Sequence, residues 1–272
     1  MIDRFLPVDG LNIHIRKTGV GKKAIVFIHG NSCSAEFWKN QMLDVVLEAH
    51  YQLVAIDLPG HGGSDKSVDY SISRLKDLLP AIVDALDLDS YVLAGLSYGT
   101  ALIAEAAPKM TNCKGFFLAS PNITNNDFPP TVYIIPFAEL GTMIADHVPP
   151  DVLQKFATHL MISEANTELR DQFVKTYLDT DPKFRVDLGL TMQSAGWSDE
   201  FRNLIDTGLP VNYLFGEKDR ALNIHYMDSI AFPDNHSVYK IPDAAHFVNI
   251  DQAAVFNKKL KDFCLIAFND QG

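Results

Sequence analysis

Two periodicities alternate along the chain. Short apolar runs at residues 24–28, 52–57, 90–94, 114–119, 211–215 and 237–241 have the length and continuity of strands covered on both faces. Between several of them, apolar residues recur three and four apart. Residues 73–86 put Leu75, Leu78, Leu79, Ile82, Val83 and Leu86 on one helical face, with Pro80 as a possible kink. The Ala-rich residues 100–107 form a second helix, and a closing amphipathic helix carries Val255, Phe256, Leu260, Phe263 and Ile266. Residues 11–16 instead alternate apolar and polar, as a half-exposed strand near a sheet edge does, which places His14 on the solvent side. Strands alternating with helices at this spacing predict an α/β fold, a mostly parallel sheet with helices on both faces.

The rhythm breaks at Ser120-Pro121-Asn122. From there to Gly208 the pattern gives helices and turns without a buried strand, punctuated by Pro129-Pro130 and Pro149-Pro150. Residues 151–161 and 167–178 read as helices, the second opened by an Asn166/Thr167 cap. The expected organisation is a core in two parts, residues 1–120 and 209–272, interrupted by a helical insertion at 121–208. Most of the insertion's aromatic and Met residues are needed for its own core.

Composition narrows the class. A chain of 272 residues is long enough for one large α/β domain carrying an insertion, and 47% hydrophobic with 21% charged residues is ordinary for a soluble globular protein. The net charge of −11 argues against general affinity for nucleic acid or anionic membranes. Cys33, Cys113 and Cys264 are odd in number, far apart and without a C-x-x-C pair, so they read as reduced thiols of a cytoplasmic protein. The first residues show no basic region followed by a long apolar stretch, and no apolar run approaches membrane-spanning length. Oligomeric state is not legible.

The chemistry centres on Gly95-Leu96-Ser97-Tyr98-Gly99, which joins the run at 90–94 to the helix at 100–107. G-x-S-x-G between a strand and a helix describes a nucleophile elbow, a turn so tight that its neighbours must be small and its serine hydroxyl is pushed outward. The motif alone arises by chance in roughly one chain in ten of this length, so its weight rests on its company. His29-Gly30-Asn31 ends the run at 24–28, and Asp57-x-Pro59-Gly60-His61-Gly62-x-Ser64 ends the run at 52–57. Gly216-x-x-Asp219 follows the run at 211–215, and His246 lies in the loop after the last strand. Open α/β sheets place their sites at the carboxyl ends of strands, so these loops can converge.

Taken together, these five motifs resemble the α/β-hydrolase superfamily, in its cap-bearing, serine-dependent form, over nearly the whole chain. The resemblance implies the α/β-hydrolase fold with a helical cap at 121–208. It also implies a catalytic triad of Ser97, Asp219 and His246 in the serine, acid, histidine order of that fold. Ser97 would attack, His246 would take and return the proton, and Asp219 would orient the imidazole. Glu217 and Asp243 are nearby rivals for the acid, and some relatives place it after the strand ending at Ala119, where Asn122 and Asp127 stand. The family assigns the backbone N–H groups of Asn31 and Tyr98 to the oxyanion hole. Candidate substrate contacts are His29, Trp38 and Phe247, although His29 and His61 also suit a turn-stabilising role.

No cofactor is implied. The histidines show neither H-x-H nor H-E-x-x-H spacing, and no phosphate-binding glycine loop occurs, so no metal or nucleotide site is expected. The expected partner is a small-molecule ester or lactone. Within that class, Gly30-Asn31-Ser32 and Phe37-Trp38 weakly resemble the acyl-homoserine lactonases of this fold. Carbon–carbon bond hydrolases, acyl transfer and a non-catalytic ligand-binding receptor remain as alternatives, since fold does not choose among them.

Overall fold

A computed structural model describes residues 1–194 and 196–269. Eight strands form one sheet in the order β1-β2-β4-β3-β5-β6-β7-β8, with β1 Ile2–Val8, β2 Leu11–Thr18, β3 Lys23–Ile28, β4 Gln52–Ile56, β5 Ser90–Leu96, β6 Cys113–Ala119, β7 Val211–Gly216 and β8 His236–Ile241. β2 runs antiparallel to both neighbours, and every pairing from β4 through β8 is parallel. This is the predicted mostly parallel sheet. β1 is an addition: its residues are largely exposed, so no apolar run marks it, and its pairing with β2 is what forms it.

Successive side chains of a strand point to opposite faces, and both faces are covered here. On one face Ala24, Val26 and Ile28 pack with Leu75, Leu79 and Leu102, which come from the helices Ile72–Asp84 and Tyr98–Ala106. On the other, Ile25 and Phe27 pack with Phe256, Leu260 and Phe263 of the closing helix Ala253–Ala267. That double covering is why the central strands read as unbroken apolar runs.

Between β6 and β7 the chain leaves the sheet. It forms the helices Pro150–Leu160, Thr167–Asp179, Pro182–Gln193 and Glu200–Asp206, with Asn166 capping the second through its side-chain oxygen. An isolated antiparallel bridge joins Ile134 to Leu222. Tyr70 OH donates to Asp181 Oδ2 at 2.9 Å and Tyr70 N–H to Asp187 Oδ2 at 2.9 Å, fastening this segment to the loop after β4. No helix among the described residues is long and apolar enough to cross a membrane.

His14 departs from expectation. Alternation in β2 put it in solvent, yet it is buried, with Nδ1 2.7 Å from Asp57 Oδ2 and Nε2 3.2 Å from Asp3 Oδ1. The partner that covers it lies 43 residues away, beyond the reach of a local pattern. The hydrogen bond to Asp57 raises the His14 pKa. Burial pushes the Asp57 carboxyl up, but the His14 bond and the N–H groups of Ala35 and Gly63 outweigh it and hold it low.

Beneath the loops after β3 and β4 sit two buried imidazoles, His29 and His61, with ring centroids 4.8 Å apart and planes tilted by 52°. His29 Nε2 accepts from Leu58 N–H and its Nδ1 faces the Gly30 carbonyl; His61 Nε2 accepts from Ser32 N–H and its Nδ1 faces the Pro59 carbonyl. Each ring is therefore a neutral Nδ1–H tautomer. Burial lowers both pKa values, that of His61 to about 3. Below its ordinary 6.5 the unfolded chain binds protons that the native rings refuse. Stability is accordingly full above that value and falls below it by up to about 1.4 kcal/mol per pH unit per ring. In nuclear magnetic resonance titrations His61 is expected to stay neutral down to about pH 5, and His29 to titrate below its ordinary value. A midpoint near 6.5 for either would contradict the pairing.

Candidate active site

Ser97 occupies the turn between β5 and the helix Tyr98–Ala106 at φ +50° and ψ −120°, a conformation that L-residues rarely adopt. Its N–H donates to the Ala119 carbonyl at 2.9 Å, and its carbonyl accepts from Thr100 N–H at 2.8 Å and Thr100 Oγ1 at 2.6 Å. Both motif glycines are needed by space. A Cβ on Gly99 would sit 2.5 Å from the Ile28 carbonyl oxygen, and one on Gly95 would sit 2.8 Å from Ile103 Cδ1. Gly30 faces Ser97 itself, at 3.2 Å from a would-be Cβ to the serine Cβ.

His246 and Asp219 come from the loops after β8 and β7. His246 Nδ1 lies 2.9 Å from Asp219 Oδ2, and both side chains are buried. Asp219 Oδ1 accepts from the N–H groups of Ala221 and Leu222, at 2.8 and 3.2 Å. With those acceptor positions filled, the carboxylate takes the Nδ1 proton and leaves Nε2 as the basic nitrogen. Ser120 Oγ donates to the His246 carbonyl at 2.7 Å, and Asp251 Oδ2 accepts from Ala245 N–H at 2.9 Å, so the loop is held from both sides. Burial, with Asp219 adding repulsion, raises the Asp251 pKa. The rival acids are placed elsewhere: Glu217, Asp243 and Asp127 are exposed, and Asp243 pairs with Lys218.

Ser97, His246, Asn31, Tyr98 and Phe247 all line one cleft, which encloses about 920 Å³ of empty space, part of it open to solvent. Ser97 Oγ accepts a long contact, 3.5 Å, from Asn122 Nδ2; no direct Ser97–His246 hydrogen bond forms among the described residues. Catalytic hydrogen bonds are often longer in unliganded sites than in the reacting complex. Tyr98 N–H is the first of its helix and has no acceptor within it, and the Tyr98 ring meets Phe184 edge-on at 5.2 Å. Asn31 Nδ2 donates to the Met143 carbonyl at 2.8 Å, tying the loop after β3 to the inserted segment.

Two sequence candidates fall outside the cleft. Trp38 is fully buried in the core, packed on Phe27 and Phe256 with ring centroids 4.9 and 6.0 Å away. His29 is held beneath the loops, as described above. Neither can touch a bound molecule in this structure. Asn122 enters the site through its amide rather than as an acid. Trp197 also lines the cleft, from the stretch before helix Glu200–Asp206, with no motif to announce it. Apart from Gly30, Ser32 and Cys33 the rest of the lining is aromatic, aliphatic or Met, and no Lys, Arg, Asp or Glu is among it. No group of three potential His, Cys, Asp or Glu metal ligands occurs among the described residues.

Residues 25–259 match the alpha/beta hydrolase family. A haloalkane dehalogenase of Agrobacterium fabrum is 37% identical over 126 residues, 45% of this chain and 40% of that protein. A 2-hydroxy-6-oxononadienedioate/2-hydroxy-6-oxononatrienedioate hydrolase of Klebsiella pneumoniae is 39% identical over 100 residues, 34% of this chain and 35% of that protein. The chain thus matches well under half the length of these curated relatives. Among solved structures, the N-acyl homoserine lactonase AidH complexed with N-butanoyl homoserine superposes with a TM-score of 0.88 at 17% identity, over 100% of this chain and 99% of that one. An esterase from Exiguobacterium antarcticum superposes at 0.79 and 16% identity, over 96% and 99%. At these identities the structural likeness is one of fold.

The elbow's tightness is directly testable. Gly99→Ala drives a methyl group against the β3 backbone, which cannot step aside as a side chain can. A loss of about 3 kcal/mol is expected in denaturant melts, and unchanged stability would show that the close approach is not a constraint.

Proposed function

The chain belongs to the alpha/beta hydrolase family, and we propose that it is a serine hydrolase cleaving an uncharged carboxylic ester or lactone with an apolar acyl part. The observation that carries this reading is the joint placement of Ser97, on its strained turn, and the Asp219-oriented His246 on one apolar cleft. Ser97 Oγ attacks the carbonyl carbon while His246 Nε2 takes its proton, and Asp219 stabilises the imidazolium. The negative charge on the carbonyl oxygen is met by Tyr98 N–H and Asn31 N–H. Collapse expels the alcohol, protonated by His246, and leaves an acyl group on Ser97. Water activated by the same imidazole releases the acid. In a lactone the alcohol stays tethered to the acyl group and leaves with it. The helical segment at 121–208 roofs the acyl pocket.

The named relatives suggest other chemistries, which suit these residues less well. A dehalogenase attack through an aspartate would need a carboxylate where Ser97 stands. A dioate substrate carries two carboxylates, and the cleft offers no Lys or Arg to receive them.

With p-nitrophenyl hexanoate, Ser97→Ala is expected to lower kcat by about 10⁵-fold or more without loss of folding, and to abolish labelling by a fluorophosphonate. Unchanged turnover would overturn the assignment, and an unlabelled, inactive wild type would favour a ligand-binding module.

Asp219→Asn is expected to lower kcat by about 10⁴-fold, because the amide favours the wrong imidazole tautomer. A loss below about tenfold would remove Asp219 from the triad. A p-nitrophenyl ester with a terminal carboxylate should be a markedly poorer substrate than its neutral counterpart of equal length.

A further inference from the structure

We propose that Arg185, carried on the inserted segment, is a positioning residue for the oxyanion hole. Through Ser32 Oγ it fixes the side chain of Asn31, and with it the Asn31 N–H that meets the charge on the reacting carbonyl. The proposal rests on the serine-hydrolase reading and adds a residue to it.

Arg185 is buried on the helix Pro182–Gln193, and none of its hydrogen bonds among the described residues goes to a carboxylate. A buried cation without a countercharge is costly, and an apolar side chain of similar volume often serves stability as well or better. Its bonds show what it holds. Nε donates to the Ala145 carbonyl at 2.7 Å, Nη1 to the Tyr177 carbonyl at 3.1 Å and Nη2 to the Asp146 carbonyl at 3.3 Å. Those three knit the insertion to itself. The fourth leaves it: Nη1 donates to Ser32 Oγ at 3.3 Å, 153 residues away in the chain.

Ser32 belongs to a turn that needs such help. Cys33 N–H donates to the Gly30 carbonyl at 3.2 Å, so Asn31 and Ser32 are the two central residues of one tight turn. Ser32 has φ +56°, which gives the turn the type II pattern at a position that favours glycine. Outside bonds hold it there. Ser32 N–H donates to His61 Nε2 at 3.3 Å, and Ser32 Oγ donates to Asn31 Oδ1 at 2.9 Å. With its one proton given to Asn31, the hydroxyl has lone pairs left to accept from Arg185. Asn31 Nδ2 donates to the Met143 carbonyl at 2.8 Å. The insertion therefore grips both ends of the Asn31 amide, directly through Met143 and by way of Ser32 through Arg185. In so tight a turn, what fixes that side chain also fixes the direction of the Asn31 N–H. A misdirected donor matters most when the carbonyl oxygen is charged, so its loss falls on the transition state and spares ground-state binding.

With p-nitrophenyl hexanoate, Arg185→Met is expected to lower kcat by about tenfold or more with KM changed by less than about threefold. Ser32→Ala cuts the link while leaving the three carbonyl bonds of Arg185 in place, so it keeps the test readable should Arg185→Met fail to fold. It is expected to lower kcat by a similar factor, and the double variant to be no slower than either single one. A pair of inhibitors separates positioning from mere support of the fold. Ser97 Oγ adds to the carbonyl carbon of hexyl trifluoromethyl ketone, the serine proton passes to His246, and the negative charge rests on the former ketone oxygen. Hexyl methyl ketone binds the same cleft without forming that anion. In both variants the inhibition constant of the fluorinated ketone is expected to rise by the factor that kcat falls, and that of the methyl ketone to stay unchanged. Neither constant depends on how much enzyme is folded. Unchanged kcat in both variants, equal weakening of the two ketones, or a double variant much slower than either single one would overturn the role of Arg185 and leave the hydrolase standing. A wild type that neither turns over the ester nor takes a fluorophosphonate would overturn both.

Discussion

Everything in this site depends on how closely the start of one helix approaches one strand. The helix Tyr98–Ala106 begins directly against the end of β3, where only hydrogen at position 99 clears the carbonyls of Ile28 and His29. That approach forces Ser97 into the left-handed region and aims its hydroxyl out of the sheet's carboxyl edge. It also brings the first N–H of the helix and the loop after β3 to the same point. Backbone strain of this kind costs on the order of 1–3 kcal/mol and persists only where the surroundings over-determine it. Here the bonds from Ser97 N–H to β6 and from Thr100 to the Ser97 carbonyl do so.

A second constraint lies under the neighbouring loops. Asp57, at the end of β4, spends its carboxylate on Ala35 N–H, Gly63 N–H and the His14 ring at once. It thereby joins the loop after β3, the loop after β4 and β2. A Cβ on Gly62 would lie 2.1 Å from that carboxylate, so the chain must wrap it with glycine. His29 and His61 fill the space above as neutral hydrogen-bonding rings. These polar residues of the motifs act on backbone and hold the loop that carries Asn31 in place.

The inserted segment is attached at several points rather than hinged freely. Asn31 reaches the Met143 carbonyl, Tyr70 reaches Asp181 and Asp187, and the buried Arg185 spans the Ala145, Asp146 and Tyr177 carbonyls and Ser32 Oγ. Arg185 also stacks on the Tyr177 ring at 3.9 Å. The cation sits behind the cleft-lining Ser32 and Tyr177, with its N–H groups spent on those backbone carbonyls and on Ser32 Oγ, and is not itself part of the lining. The result is a mostly apolar cleft with no ionisable Lys, Arg, Asp or Glu in its lining.

The sequence by itself determined the strand runs, the sheet class and the loops that carry Ser97, Asp219 and His246. These are local matters: an apolar run covered on both faces, or a glycine where a Cβ has no room, is written in adjacent residues. Tertiary structure decided the rest, because burial and partnership depend on residues far away in the chain. His14 looks solvent-facing in an alternating strand until Asp57 covers it, and Trp38 looks like a cleft aromatic until the closing helix packs on it. β1 has no apolar run at all and exists through its ladder with β2. Asn122 stands out only once β6 lies beside β5, since its amide acquires meaning from the serine it faces. Trp197 carries no motif, and it reaches the cleft lining only through the tertiary fold, near the Thr124–Glu200 pair.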